Sequence, residues 1–203
     1  MARLLHPIYV FVGHFICKII LLYCVIRDKV NPPKEDTVLF VTHPDDDTLF
    51  FHTAIKEYKP YVALMVTGWS LKRLRDFFKV MKYYGVKFRP YDTNENSTNV
   101  EQKVMNQVGA VLKAGNFKRC LTHNEGGEYG HHNHQLTHRC VVKQANCEIF
   151  VPVSSQEIVN HPIDSENVKE KENIFNNFYV TETFVLDEYS NWVKNEKLVR
   201  FEK

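Results

Sequence analysis

Residues 37–47 read TVLFVTHPDDD, an apolar and β-branched run that passes directly into a cluster of polar side chains. The run Thr37–Thr42 is typical of a fully buried β-strand. A second run of this kind, Tyr61–Val66, follows after a gap with room for one helix. In an open α/β sheet, ligands bind beyond the carboxyl ends of the strands, so we expect a site where the first strand runs into its Asp residues.

Helix-like and strand-like patterns alternate along the rest of the chain. Leu71–Tyr84 and Val100–Ala114 carry apolar residues at three- and four-residue spacing, which is typical of amphipathic helices. The remaining segments are predicted as follows: strands in GVKFRPY at 85–91, at Arg119–Thr122, at Glu148–Val153 and at Phe178–Leu186, with helices at His131–Ala145 and Glu166–Asn176. This order predicts βαβ units and a mostly parallel sheet covered by helices on both faces.

An apolar segment precedes this α/β body. Residues 8–26 form a run of about 19 residues, just long enough to cross a hydrocarbon layer of ~30 Å, although His14 and Lys18 interrupt it. We expect a membrane anchor. A cleaved signal peptide and a buried or amphipathic helix of the soluble domain are the alternatives.

Basic residues are unevenly distributed around the apolar segment. Three basic residues follow the segment, namely Arg27, Lys29 and Lys34, and one, Arg3, precedes it. This bias predicts that the body faces the cytoplasm. The predicted domains are residues 1–30, an anchor with its linker, and residues 31–203, the α/β domain.

The composition excludes several classes of protein. The chain has 203 residues, of which 44% are hydrophobic and 25% charged, as in ordinary globular proteins. Its net charge of +2 gives no broad cationic field, so nucleic acid is not an expected partner. The cysteines form no CxxC pair, and we expect all five to be free thiols that pack as small apolar side chains: Cys17, Cys24, Cys120, Cys140 and Cys147.

The polar cluster after the first strand offers groups that bind metals. His43 supplies an imidazole and Asp46, three residues on, a carboxylate, which together suit one face of a zinc ion. Asp45 lies between them and is then free for proton transfer. Acidic residues in this position also suit the start of a helix, and HPDDD alone favours that capping role.

A second cluster, HNEGGEYGHHNHQLTH at 123–138, also follows a predicted strand. His131 and His134 are three residues apart, and His134 and His138 four, so a helix places either pair on one face. Two histidines and one carboxylate, with a position open for water, are the usual ligands of catalytic zinc. A solvent-facing, His-rich loop with incidental metal affinity is the alternative.

Four blocks occur in consistent order along the chain: HPDDD at 43–47, TGWSLKRLRD at 67–76, YGVKFRPYD at 84–92 and GEYGHHNH at 127–134. In this combination the chain resembles the LmbE/PIG-L family of metal-dependent de-N-acetylases. The resemblance implies a Rossmann-like α/β fold, a three-layer sandwich, and hydrolysis of the N-acetyl group of an N-acetylglucosamine-containing molecule.

The resemblance also implies a role for individual positions. The implied metal ligands are His43, Asp46 and His134, the general base is Asp45, the second acid or oxyanion partner is His131, and the substrate contacts are Arg73 and Asp92. The implied cofactor is Zn²⁺ or another divalent metal. The family usually has Glu where this chain has Asp47, which shortens a supporting side chain by one methylene.

We therefore expect a zinc-dependent N-deacetylase. With its apolar N-terminal segment, the chain is similar to the eukaryotic N-acetylglucosaminyl-phosphatidylinositol de-N-acetylases of GPI anchor biosynthesis, which implies an endoplasmic reticulum membrane location. Two alternatives remain: a soluble or secreted de-N-acetylase of a small conjugate, and a metal- or glycan-binding relative without turnover. If the two polar clusters lay on opposite faces of the sheet, they could share no metal.

Overall fold

A computed structural model describes residues 15, 18–68, 70–91 and 93–203 of the chain. In this part of the chain the elements are, in order: a helix over residues 18–30 (α1), β1 Thr37–Val41, α2 Asp46–Tyr58, β2 Tyr61–Leu64, α3 Leu71–Tyr84, β3 Phe88–Pro90, α4 Val100–Ala114, β4 Arg119–Leu121, α5 Gly127–Gly130, α6 His132–Gln144, β5 Glu148–Pro152, a 3-10 helix Ile158–Asn160, α7 Ser165–Asn177, α8 Val185–Glu188, α9 Ser190–Lys194 and β6 Leu198–Phe201.

The strands form one sheet in the order β3-β2-β1-β4-β5-β6. All neighbours from β3 to β5 pair in parallel, and β6 is antiparallel to β5. The prediction of a mostly parallel sheet is confirmed. The chain passes from β1 to β2 on one side and returns to β4 on the other, so the strand order reverses at β1. A crevice opens at such a switch point, beyond the carboxyl ends of β1 and β4.

Two apolar cores lie on opposite faces of the sheet. Leu39 and Val41 belong to one core, and Val38 and Phe40 to the other, because successive side chains of a strand point to opposite faces. The first core is completed by α2, α3 and α7, and the second by α4 and α6. Burial on both faces explains why β1 reads as a continuous apolar run.

The predicted membrane anchor lies largely outside the described residues, which lack 1–14, 16 and 17. Within the ranges that are described, no helix combines the length and apolar character needed to cross a membrane. Helix α1 is fixed to the sheet through Asp28, whose carboxylate accepts a hydrogen bond from Tyr61 Oη at 2.5 Å and lies 3.6 Å from Arg89. The predicted domain boundary at residue 30 stays a prediction.

The prediction of a strand at Phe178–Leu186 is wrong. These residues form turns that lead into α8, and the last strand is β6, for which no strand was predicted. Tyr179 and Val185 are buried in the first core, so the apolar residues that suggested a strand serve tertiary packing instead. Strand β6 lies at the sheet edge, is partly exposed and has only four residues, LVRF, which is too short for a clear strand pattern.

The prediction of free thiols is wrong for two cysteines. Cys120 in β4 and Cys147, just before β5, form a disulfide across 27 residues of sequence. Because β4 and β5 pair in parallel, they bring together two residues whose spacing indicates no local motif. Cys24 and Cys140 are buried free thiols, as predicted, and Cys17 lies outside the described residues.

His52 in α2 is fully buried, and its two ring nitrogens contact Tyr84 Oη at 2.8 Å and Asn167 Oδ1 at 3.2 Å. Burial, together with the nearby charge of Lys171, lowers the pKa of His52 to about 4. The folded protein therefore keeps this imidazole neutral at pH values where an unfolded chain, with a His pKa of about 6.5, binds a proton.

We expect this difference to destabilise the fold in mild acid. Between pH 6.5 and 4 the unfolded state binds more protons at His52, so the free energy of unfolding should fall by up to roughly 3 kcal/mol as the pH is lowered. Urea unfolding of the wild type and His52→Gln, measured across this range, tests the effect. The variant should lose less stability than the wild type, and equal losses would contradict the prediction.

Candidate metal centre

The two polar clusters meet at one edge of the sheet. The loop after β1 carries Thr42–Asp45, and the loop after β4 leads through 122–131 to α6. Because β1 and β4 are hydrogen-bonded parallel neighbours, their carboxyl ends lie side by side. Placement of the clusters on opposite faces of the sheet is therefore ruled out.

His43, Asp46 and His134 lie together and are buried. His43 Nδ1 is 3.3 Å from His134 Nε2 and 3.7 Å from Asp46 Oδ2, and His134 Nε2 is 3.3 Å from Asp46 Oδ1. Ligand atoms at ~2.0–2.2 Å from a tetrahedral zinc ion are separated by roughly 3.3–3.6 Å. These separations are close to that range, with the two Asp46 distances measured to different oxygens, and the assignment of the three residues as ligands stays a prediction.

The positions of the protons on the His134 and His43 rings are also compatible with a bound cation. His134 Nδ1 donates to Glu128 Oε2 at 2.7 Å, which leaves the Nε2 lone pair directed at His43 and Asp46. His43 Nε2 lies 3.4 Å from Glu95 Oε2, and a proton there leaves Nδ1 unprotonated as well. Lone pairs and a carboxylate oxygen then converge with no proton between them, an arrangement that a positive ion stabilises.

Two overlapping groups of side chains among the described residues could hold a metal ion: His43, His131 and His134, and Asp46, His123 and His134. In the second group His123 has little capacity to bind. Its Nε2 already accepts the Thr42 N–H at 3.0 Å, although Asp46 Oδ2 is only 3.4 Å away. His123 therefore ties the end of β1 to the loop after β4.

Asp45 and Asp46 are adjacent carboxyl groups with opposite pKa shifts. Burial raises the pKa of Asp45 well above its ordinary value, the Asp46 charge raises it further, and Arg73 opposes both effects. Burial also acts on Asp46, but His134 and His123 outweigh it and hold its pKa well below the ordinary range. This difference in pKa suits Asp45 for accepting a proton and Asp46 for remaining charged.

The helix-capping interpretation of HPDDD is wrong for Asp45, which is the N-cap residue of α2 but makes no side-chain capping bond. Asp46 Oδ2 instead accepts the His43 N–H at 2.6 Å. Asp47 turns away and accepts hydrogen bonds from Tyr179 Oη and the Thr48 N–H, both at 2.6 Å. Tyr179 is thus the partner of the shortened side chain.

A cavity of about 290 Å³ opens beside this cluster. Its lining includes five charged or imidazole side chains outside the predicted ligand set: Asp45, Arg73, Glu95, His131 and Glu182. Its other wall is apolar and aromatic and is formed by Leu49, Tyr129, Phe184, Val185 and Tyr189. The rings of Tyr129 and Tyr189 stack with their centroids 4.4 Å apart, so this wall presents a firm aromatic surface.

The structure brings His131 and Arg73 to the cavity. Burial lowers the pKa of His131 to about 4, so this imidazole is neutral near pH 7. Its Nδ1 accepts the Asn133 N–H at 3.3 Å, which leaves Nε2 as the N–H donor. Arg73 Nε lies 3.1 Å from Glu182 Oε1, and its Nη2 lies 3.8 Å from Asp45.

Some site residues were not predicted, and one predicted residue is not described. Asp92 lies outside the described residues. Glu182 and Tyr189 come from the segment misassigned as a strand and its continuation, where no motif indicates a site. Glu128 lies inside the GEYGHHNH block, and an acidic residue among glycines and histidines is the signal that could have identified it. His138 is buried and donates from Nδ1 to the His123 carbonyl at 2.8 Å.

Comparison with known proteins supports the fold. No protein-family model matches the chain. It is 26% identical over 122 residues to the uncharacterized protein L374 of Acanthamoeba polyphaga mimivirus, covering 50% of this chain and 54% of that protein, so it spans about half the length of this relative. The crystal structure of the A40926 pseudoaglycone deacetylase Dbv21 superimposes with a TM-score of 0.58 at 13% identity, covering 76% of this chain and 85% of that chain. This likeness shows that the chain shares the fold of that protein.

Proposed function

We propose that the protein is a metal-dependent hydrolase that removes the N-acetyl group from an N-acetylglucosamine-containing conjugate. The observation that carries the proposal is the convergence of His43, Asp46 and His134, with donor atoms 3.3–3.7 Å apart, beside the buried carboxyl group of Asp45. The motif blocks that resemble the LmbE/PIG-L family and the fold likeness to a deacetylase support the same reaction class.

The surrounding residues can carry the proton transfers of amide hydrolysis. His43, Asp46 and His134 would hold a divalent ion, which when bound would supply a Lewis acid that polarises a carbonyl and lowers the pKa of a bound water to ~7. Asp45 accepts the proton of the attacking water, and the His131 Nε2–H donates to the oxygen that becomes negative. As the C–N bond breaks and acetate forms, protonated Asp45 returns its proton to the amine.

The cavity suits one sugar unit. Its volume of about 290 Å³ is at the lower end of the ~300–1,000 Å³ found for ligand pockets, which favours a single ring over a long glycan. Tyr129, Phe184 and Tyr189 offer flat faces for the C–H side of a sugar ring. Arg73 and Glu182, and Asp92 by family resemblance, are proposed to contact its hydroxyl groups.

We further propose that the sugar is lipid-linked, as in N-acetylglucosaminyl-phosphatidylinositol, and that the N-terminal segment attaches the protein to a membrane. The side chains on one face of α1 are each more than half exposed and lie one turn apart: Ile19, Leu22, Tyr23, Ile26 and Val30. Four of these five residues lie within the apolar run at 8–26, and their exposure supports a contact with lipid.

Two observations favour different compartments for the α/β body. The basic residues after the segment favour the cytoplasm and, in a eukaryote, the endoplasmic reticulum membrane. The Cys120–Cys147 disulfide favours an oxidising compartment, which supports the alternative of a secreted body acting on a small conjugate. Labelling of the body with a membrane-impermeant reagent in sealed vesicles distinguishes the two.

The experiment that tests the function is metal analysis of the purified protein, followed by measurement of primary amine release. The substrates are N-acetylglucosaminyl-phosphatidylinositol and free N-acetylglucosamine, each with and without a chelator. We expect amine release that chelation abolishes and Zn²⁺ restores, with the lipid-linked substrate faster. Equal rates would contradict the lipid-linked assignment, and bound metal without any amine release would contradict the hydrolase and leave a binding protein.

A further inference from the structure

Glu128 adopts a backbone conformation that residues with a side chain rarely occupy. Its φ is 57° and its ψ −64°, within a loop where Gly127 also has a positive φ of 67°. Glycine occupies this region without steric cost, whereas glutamate does not. Strain of this kind is concentrated at functional sites, so the carboxylate of Glu128 needs a role that offsets it.

The contacts of this carboxylate indicate such a role. The side chain is completely buried and accepts three hydrogen bonds. Oε2 accepts from His134 Nδ1 at 2.7 Å and from His123 Nδ1 at 3.0 Å, and Oε1 accepts from the Asn124 N–H at 2.8 Å. One carboxylate oxygen therefore fixes two imidazoles, whose rings stack with centroids 3.9 Å apart.

These hydrogen bonds determine which nitrogen of each ring carries the proton. A carboxylate only accepts, so both rings must hold a proton on Nδ1. The Nε2 of His123 is then free to accept the Thr42 N–H, as observed at 3.0 Å. In the neutral ring, the Nε2 of His134 then carries the lone pair and is directed at His43 and Asp46, at 3.3 Å from each.

We infer that Glu128 is a positioning residue that holds His134 with its Nδ1 proton in the loop and its Nε2 lone pair toward the proposed metal. This inference rests on the proposed function. Carboxylates that orient a ligand histidine raise metal affinity by about 10–100-fold in other sites. The same carboxylate anchors His123 to the end of β1, which joins the two loops that carry the site.

The test is Zn²⁺ affinity of Glu128→Gln, measured by competition with a chromophoric chelator. Glutamine has the same shape, but its NH₂ group must face either both Nδ1–H donors or the Asn124 N–H, and its neutral oxygen is a weaker acceptor than a carboxylate. Either orientation weakens the hold on the Nδ1 proton of His134. We expect affinity to fall by about 10–100-fold, and the visible absorption bands of the Co²⁺-loaded protein to change. The matched control is Glu125→Gln, an exposed glutamate of the same loop, which should bind as the wild type does.

A second variant keeps the inference testable if Glu128→Gln folds poorly. Glu128→Asp retains a carboxylate, so its affinity should lie between those of the wild type and Glu128→Gln. A folded Glu128→Gln or Glu128→Asp with wild-type Zn²⁺ affinity and an unchanged Co²⁺ spectrum would overturn the inference and leave Glu128 a structural residue. A wild-type protein that binds neither ion would instead overturn the proposed function.

Discussion

Replacing Asp45 with asparagine should lower the rate of amide hydrolysis by about 10²–10⁴-fold, the contribution of a positioned general base, and leave metal binding unchanged. Asp45 lines the cavity next to the proposed ligand Asp46. Burial and the Asp46 charge raise its pKa, so its carboxylate accepts a proton more readily than an ordinary aspartate. The amide of asparagine has nearly the same shape but does not accept a proton in this pH range.

Asparagine is the appropriate substitution because Asp45 has a φ of 109°. Asparagine tolerates positive φ better than most residues, whereas alanine would add backbone strain to the loss of the carboxylate. Asp36→Asn, at an exposed carboxylate just before β1, is the matched control. The measurements are kcat for amine release and metal content per chain. An unchanged kcat would contradict the assignment of Asp45 as the base, and joint loss of metal and activity would place Asp45 among the ligands.

The elements that a single local pattern specifies were predictable. Helices α3 and α4 begin and end where their apolar periodicity does, at Leu71–Tyr84 and Val100–Ala114. Gly85 follows α3 in the left-handed conformation, a common helix terminus. The central strand β1 was predictable for a related reason. It is buried on both faces, and such a strand has a short, continuous run of apolar residues.

Features that depend on tertiary packing were not predictable. Phe178–Leu186 has strong β propensity, but Tyr179 and Val185 pack into the first core, and β6 is the strand that pairs with β5. Cys120 and Cys147 are joined only because parallel pairing aligns their strands. In both cases the structure depends on a contact with residues that are distant in the sequence.

The candidate site also contains residues that were predictable from local motifs and residues that were not. His43 and Asp46 belong to one short motif and His134 to another, and the topological rule for parallel strands brings the two motifs to one edge. The far wall of the cavity includes Glu182 and Tyr189, which no local pattern linked to the site. The role of Glu128 depends on its φ of 57° and on hydrogen bonds to two rings, neither of which a sequence pattern specifies.

Replacing His134 with glutamine should lower Zn²⁺ affinity by more than about 100-fold, because loss of a residue that merely supports a ligand already costs about 10–100-fold. The variant keeps His43 and Asp46, and two protein ligands are fewer than the three that hold catalytic zinc. Glutamine fills most of the buried volume of the imidazole, which limits the cavity that alanine would create. His132→Gln, an exposed neighbour in α6, is the matched control and should bind normally.

Thermal unfolding with and without Zn²⁺ separates ligand loss from damage to the fold around His134. A ligand that binds only the folded state stabilises it by about 2.7 kcal/mol at 100 times its Kd. The Tm of the wild type and of His132→Gln should therefore rise with Zn²⁺, whereas that of His134→Gln should stay constant. If His134→Gln responds as its control does, the shared ion is not held by residue 134, and the proximity of the two loops reflects packing alone.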